Sequence, residues 1–220
     1  MPFNAKSKLL FIHIPKTAGT SLATYFGMDT PESFMFSRWD RDRFAFMEAY
    51  RHRTSSPRLR FEPQHYTPDL LQELIPDYAS YFKFTFVRHP GTRLLSEYFW
   101  LRHRHLESYA QFEPDDFHRW CIAFLETATG SHREPQCHYV DSSVDFVGKY
   151  ENFPAELARL LRQLKNRSPA FVPGPQNQEP RLNSTGLPKE PLLGRIRPET
   201  RERIAAAYAE DFERFGYAPQ

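Results

Sequence analysis

Two cysteines among 220 residues are too few for a disulfide framework, and Cys121 and Cys137 read as buried thiols. No Cys and His spacing suggests a zinc site, so no metal is expected. No apolar run approaches the ~18 residues that a membrane-spanning helix needs. The N-terminus lacks a secretory cleavage pattern, which sets the expectation of a cytoplasmic protein. An excess of one charge is missing too. The 29 Lys and Arg nearly balance the 27 Asp and Glu, for a formal charge of +2, and no nucleic-acid partner is expected. Internal repeats and low-complexity tracts are absent. What remains is a globular composition, 40% hydrophobic with 20 Phe, of a length that suits one α/β domain over residues 1–220.

Within that chain one short segment is the most informative. Ile-His-Ile-Pro-Lys-Thr-Ala-Gly-Thr-Ser (12–21) follows the apolar run Leu9-Leu10-Phe11 directly. It reads as a buried strand emptying into a loop of small residues, with a helix starting at Thr20 and Ser21. Backbone N–H groups at a helix N-terminus face such a loop and favour negative charge in it. Lys16 adds a full positive charge, and Ala18 and Gly19 let a ligand approach the backbone. Together with Thr17 these residues make a loop suited to a phosphate. It is not a Walker A loop, whose lysine follows the second glycine, because Lys16 precedes Gly19. Thr20 and Ser21 also have a plainer reading as helix caps.

A second segment has the same logic. Residues 81–87 (YFKFTFV) are an aromatic-rich strand candidate that runs into Arg88-His89-Pro90. Pro90 suits the first turn of a helix. Ser96 lies about two helical turns beyond Arg88, so both can face one ligand group. Arginine can bond two phosphate oxygens at once, although a strand-end salt bridge is the alternative role for Arg88. Two such units point to a ligand with two separated phosphates.

Residues 13–21 (HIPKTAGTS) resemble the 5′-phosphosulfate loop of carbohydrate sulfotransferases, and residues 86–98 (FVRHPGTRLLSEY) resemble their 3′-phosphate motif. The pattern is similar to that of heparan-sulfate-type, sulfotransferase family 2-like, and related bacterial glycan O-sulfotransferases. The resemblance implies a P-loop-like α/β fold with a central parallel sheet flanked by helices. It also implies 3′-phosphoadenosine 5′-phosphosulfate (PAPS) as co-substrate, without metal, and a hydroxyl acceptor on a glycan. Donor contacts would fall on Lys16, Thr17, Ala18, Gly19, Thr20, Ser21, Arg88 and Ser96. Residues 180–185 (PRLNST) resemble the loop that closes over the nucleotide, which adds Asn183 and Ser184. Residues 144–153 resemble the third strand and the helix start after it, and 210–217 the C-terminal helix end. Residues 28–60 and 99–135 match nothing in the family pattern and would carry acceptor specificity. Relatives in the animal secretory pathway carry a membrane anchor, so an unanchored bacterial cytoplasmic enzyme is expected.

Sulfuryl transfer resembles phosphoryl transfer: an in-line displacement, governed by positioning and electrostatics. Lys16 is placed to stabilise the leaving 5′-phosphate oxygen. A base must take the acceptor's proton, and the family pattern places a histidine before the helix that precedes the second strand. His65, in Glu62-Pro-Gln-His-Tyr-Thr-Pro68, occupies that place. His52 is the alternative, set in an Arg-rich run that disfavours holding a base there. His13 reads as a satisfied structural histidine, and Arg102-His103-Arg104 and His118-Arg119 as solvated helix surface.

The remaining pattern predicts helices over 68–78, 114–127, 153–165 and 198–215, the last stopped by Gly216, and a long loop over 166–191. Seven arginines (38, 41, 43, 51, 53, 58 and 60) crowd between Arg38 and Arg60. They are either a solvated helix face or a patch that steers an anionic acceptor. Three other functions stay open: transfer to a small-molecule or lipid hydroxyl, a nucleotide kinase, and a non-catalytic anion-binding module. The kinase reading lacks both a GK[ST] loop and a Mg²⁺-binding aspartate.

Overall fold

The computed structural model describes residues 3–28, 63–75, 77–105, 112–167 and 189–219. Its centre is a four-stranded sheet in the order β1-β2-β3-β4: β1 Phe3–Asn4, β2 Leu9–Phe11, β3 Phe82–Val87 and β4 Phe146–Lys149. β2, β3 and β4 run parallel, with Leu10 opposite Lys83 and Thr85 opposite Val147. β1 is antiparallel to β2, so the expected single N-terminal strand is in fact a short hairpin, with Lys8 in the turn at φ 51°.

Every residue of β2 and β3 is buried, the pattern of parallel strands covered on both faces. That burial extends to Lys83, whose Nζ donates to Tyr81 O at 2.6 Å and lies 3.7 Å from Asp145. Alternate side chains part to the two faces. Leu10, Ile12, Ile14 and Val87 pack with Tyr66, Leu71 and Tyr139 on one side. Leu9, Phe11, Phe84 and Phe86 pack with Leu22, Phe146 and Leu160 on the other.

Helices flank the sheet: α1 Gly19–Tyr25, α2 Pro68–Leu74, α3 Pro90–His105, α4 Pro114–Thr127, α5 Phe153–Arg167, α6 Glu190–Leu193, α7 Pro198–Ala207 and α8 Ala209–Phe215. A further core joins α3, α4 and α7 through Leu95, Phe99, Phe117, Cys121, Ile204 and Tyr208. Both cysteines are buried and unpaired, as expected. Two helix expectations are corrected. α2 ends at Leu74 because Ile75, at φ −109° and ψ 106°, precedes Pro76 and cannot stay helical. The C-terminal helix is broken at Tyr208 (φ −124°, ψ 31°) before Gly216 ends it at φ 59°. Among the described residues no helix is long and apolar enough to cross a membrane.

The three parallel strands all release the chain at one edge of the sheet. β2 leads to residues 12–18, β3 to Arg88 and β4 to Tyr150, which is the usual place for a ligand in such a sheet.

Candidate active site

The loop after β2 is held from several sides. Ile12 N–H donates to Phe84 O at 2.9 Å, and Thr85 Oγ1 donates to Ile12 O at 2.7 Å. Thr17 Oγ1 donates to Ile14 O at 2.9 Å, closing the turn from within. Lys16 and Ala18 sit at φ 69° and 73°, the left-handed region. That conformation costs an L-residue roughly 1–2 kcal/mol, and such strain clusters at functional sites. Ala18 is itself the N-cap of α1, and no side-chain cap bond is formed. Thr20, exposed, and Ser21, buried, lie inside α1, beyond its N-cap position.

Gly19 also has a packing reason to lack a side chain. A Cβ there would overlap the His13 imidazole, which lies directly against it. Overpacking of this kind costs ~1–3 kcal/mol. Gly19→Ala should therefore lower Tm by several degrees, at about 2–4 °C per kcal/mol for a chain of this size. Calorimetry checks it, and an unchanged Tm would mean that the imidazole moves aside freely.

Arg88 emerges from β3 buried, at 4% exposure. Its guanidinium stacks on Tyr150 at 4.0 Å, and Nε donates to Thr92 Oγ1 at 3.1 Å. Nη1 reaches Lys16 O at 3.4 Å, so the two sequence motifs meet in space. The backbone of Arg88 is clamped by Gln136, whose Oε1 accepts its N–H at 2.8 Å and whose Nε2 donates to its carbonyl at 2.7 Å. Gln136 is in turn fixed by the buried Asp211 carboxylate of α8. Ser96 is half-buried on α3.

Lys16 is the electrostatic centre. Its Nζ lies over the Trp100 ring at 4.5 Å. Burial pushes its pKa down to about 8; nearby Glu97 opposes that shift, and the positive charges of Arg88 and Lys189 add to it. Three cations thus converge on a partly desolvated space, an arrangement that favours an arriving anion.

His65 stands beside this loop. It is 2% exposed, and its Nδ1 lies 2.8 Å from His13 O. A carbonyl only accepts, so Nδ1 carries the proton and Nε2 keeps its lone pair. Burial, reinforced by the charge of His13, holds its pKa well below the ordinary histidine value. His13 is corrected: far from satisfied, its Nδ1 is buried without a hydrogen-bond partner among the described residues, and burial lowers its pKa to about 3.

Several side chains with evident roles carry no sequence signal. Arg93, 2% exposed, donates to Pro15 O at 3.2 Å, Glu134 O at 2.8 Å and His132 O at 3.1 Å, which ties the lysine loop to residues 131–134. Glu97, Trp100, His132, Gln136, Tyr150 and Lys189 belong with it. Arg102 and Arg119 both pair with Asp116 on the helix surface, whereas half-buried His118 is not simply solvated, its Nδ1 lying 2.6 Å from Oγ1 of the buried Thr200. Asn183, Ser184, His52 and the Arg38 to Arg60 cluster lie outside the described residues.

A model of the sulfotransferase family matches residues 2–218. The chain belongs to the sulfotransferase family. No curated protein and no solved structure matches it. As a sulfotransferase it moves a sulfuryl group to an acceptor, and in this family the donor is generally PAPS.

Proposed function

We propose that this sulfotransferase acts as one domain over residues 1–220 and carries sulfate from PAPS to a glycan hydroxyl. The observation that supports the reading most is the meeting of Lys16 and Arg88, with the guanidinium 3.4 Å from the lysine carbonyl. The 5′-phosphosulfate lies in the loop 16–21, where Thr17, Ala18, Gly19, Thr20 and Ser21 offer backbone and hydroxyl groups beside Lys16. The 3′-phosphate lies against Arg88 and Ser96, and Asn183 and Ser184 close over the nucleotide.

The acceptor oxygen attacks sulfur in line with the departing phosphate oxygen. As the new S–O bond forms, the old one breaks and its electron pair stays on the 5′-phosphate, beside the Lys16 ammonium. Neutral His65 takes the hydroxyl proton on Nε2. Arg93 and Gln136 touch neither reactant; they hold the lysine loop and the Arg88 backbone in place. The deciding experiment incubates the protein with labelled PAPS and a panel of glycans, with a chelator present. Label transferred to one glycan supports the reading, while nucleotide binding without transfer to any hydroxyl would return the chain to a binding role.

The acceptor is an anionic glycan, bearing carboxylate or existing sulfate. Support comes from the seven arginines between Arg38 and Arg60, with Trp39, Phe44, Phe46 and Tyr50 among them to stack on sugar rings. Raising salt to ~0.5 M should increase the acceptor KM several-fold and disturb the donor KM less, since salt screens exposed charge most. A neutral sugar used equally well, with no salt dependence, would rule the steering out.

A further inference from the structure

His65 has a difficulty as the last holder of the proton. It is almost fully buried, and its protonated ring would share that space with the His13 ring, whose centroid is 4.5 Å away. An imidazolium created there in each turnover must be discharged before the next. The neighbouring side chains provide for this.

His132 meets His65 edge to face, with ring centroids 5.5 Å apart, so the two rings are in direct contact. Its Nδ1 lies 2.7 Å from Glu97 Oε2. The Glu97 side chain is 5% exposed and that of His132 30%, so the carboxylate is buried while the ring reaches solvent. A carboxylate only accepts, so neutral His132 is protonated on Nδ1 and keeps its lone pair on Nε2. A histidine oriented by a buried carboxylate is the arrangement that supports an imidazolium. Trp100 stacks on the same ring at 5.6 Å, and Arg93 donates to the His132 carbonyl. Among the described residues the charged and titratable groups around the ring include Glu97, His65, His13 and Arg93, with Lys16 across Trp100.

We propose that His132, held by Glu97, receives the proton that His65 takes from the acceptor hydroxyl and passes it to solvent. The inference rests on His65 as the base. The O–H proton goes first to His65 Nε2 and then to His132 Nε2, and the resulting charge is balanced by Glu97. His65 keeps its Nδ1–H on His13 O throughout. Bulk water takes the proton from His132, and both rings return to their starting tautomers.

The test combines histidine NMR with turnover of the full chain. In ¹⁵N-histidine-labelled protein saturated with 3′-phosphoadenosine 5′-phosphate, Glu97→Gln should release neutral His132 from its single Nδ1–H tautomer, read from the ¹⁵N shifts of its two ring nitrogens. An unchanged tautomer overturns the pair without any acceptor being needed. With labelled PAPS and heparosan as the probe acceptor, His132→Gln should lower kcat about tenfold, less than removal of the base itself. The donor KM should stay within twofold and the solvent isotope effect on kcat should grow. A kcat within twofold of the parent overturns the relay while leaving His65 as base. Full activity of His65→Ala beside an inactive His132→Gln also overturns the relay, and in that case the base reading fails with it. A kcat loss accompanied by an equal loss of Tm and of donor affinity would show a structural role only and overturn the proposal.

Discussion

Lys16→Ala is expected to reduce turnover by ~10²–10³-fold, the usual effect of removing a group aimed at developing charge. It should also weaken 3′-phosphoadenosine 5′-phosphate binding by at least ~1.5 kcal/mol, the scale of a hydrogen bond to a charged group. The pH dependence makes this assignment specific. In the free protein burial lowers Lys16 to about 8, so half of the ammonium form is gone at that pH and most of it one unit above. A bound phosphate favours the charged form and raises the value. Binding near pH 8 therefore takes up a proton, and affinity should fall towards tenfold per pH unit as pH rises beyond about 8. The sign follows from the bound state holding more protons than the free state. Titration calorimetry in buffers of differing ionisation enthalpy measures the uptake directly. Affinity that is flat from pH 7 to 9.5, or adenosine 5′-phosphate binding as tightly as the bisphosphate while Arg88→Ala changes nothing, would overturn the two-phosphate site.

The parts of this architecture that were legible in the sequence are those with local causes. β3 shows as an aromatic-rich run, and Pro90 marks the start of α3 because proline is suited to the first helical turn. α4 spans Pro114–Thr127, as its pattern predicts, and the periodic leucines of α5 are buried at Leu157, Leu160 and Leu164. The lysine loop and Arg88 are likewise legible, since each follows a strand within a few residues. The break at Tyr208 is not. Residues 205–211 are mostly good helix formers, and the bend accompanies distant contacts: Tyr208 Oη donates to Arg133 O at 2.9 Å, and Asp211 accepts from the Gln136 and Cys137 backbone. The same reason hides the supporting shell. Arg93 finds its carbonyl partner at Pro15 across 78 residues, and Gln136 finds Asp211 across 75, separations at which no periodicity operates. Glu97 and His132 are ordinary residues in their own segments and acquire a joint meaning only when α3 meets residues 131–134.

His65→Ala should separate chemistry from binding. His65 does not enter the donor loop with its side chain; it braces the loop's approach through His13 O at 2.8 Å. Donor affinity should accordingly stay close to the parent value, while turnover falls by ~10²-fold or more, the usual contribution of a positioned base. Sequence reasoning places the acid limb of activity in the histidine range, and the burial of His65 moves that limb. Because its pKa is held well below the ordinary value, the ring is already neutral at pH 6.5. The fall in kcat should therefore appear only at more acidic pH. The descending limb of kcat/KM, which reports the free enzyme, should have its midpoint near pH 8, where Lys16 is half deprotonated. Lowering the pH from 7.5 to 6.5 should then cost the parent enzyme little activity, and His65→Ala should abolish the acid limb along with most of the rate. A rate that drops steeply across 6.5 would require a base of ordinary histidine pKa in place of His65. A fully active His65→Ala enzyme would transfer the role to His52 or to a carboxylate such as Glu62.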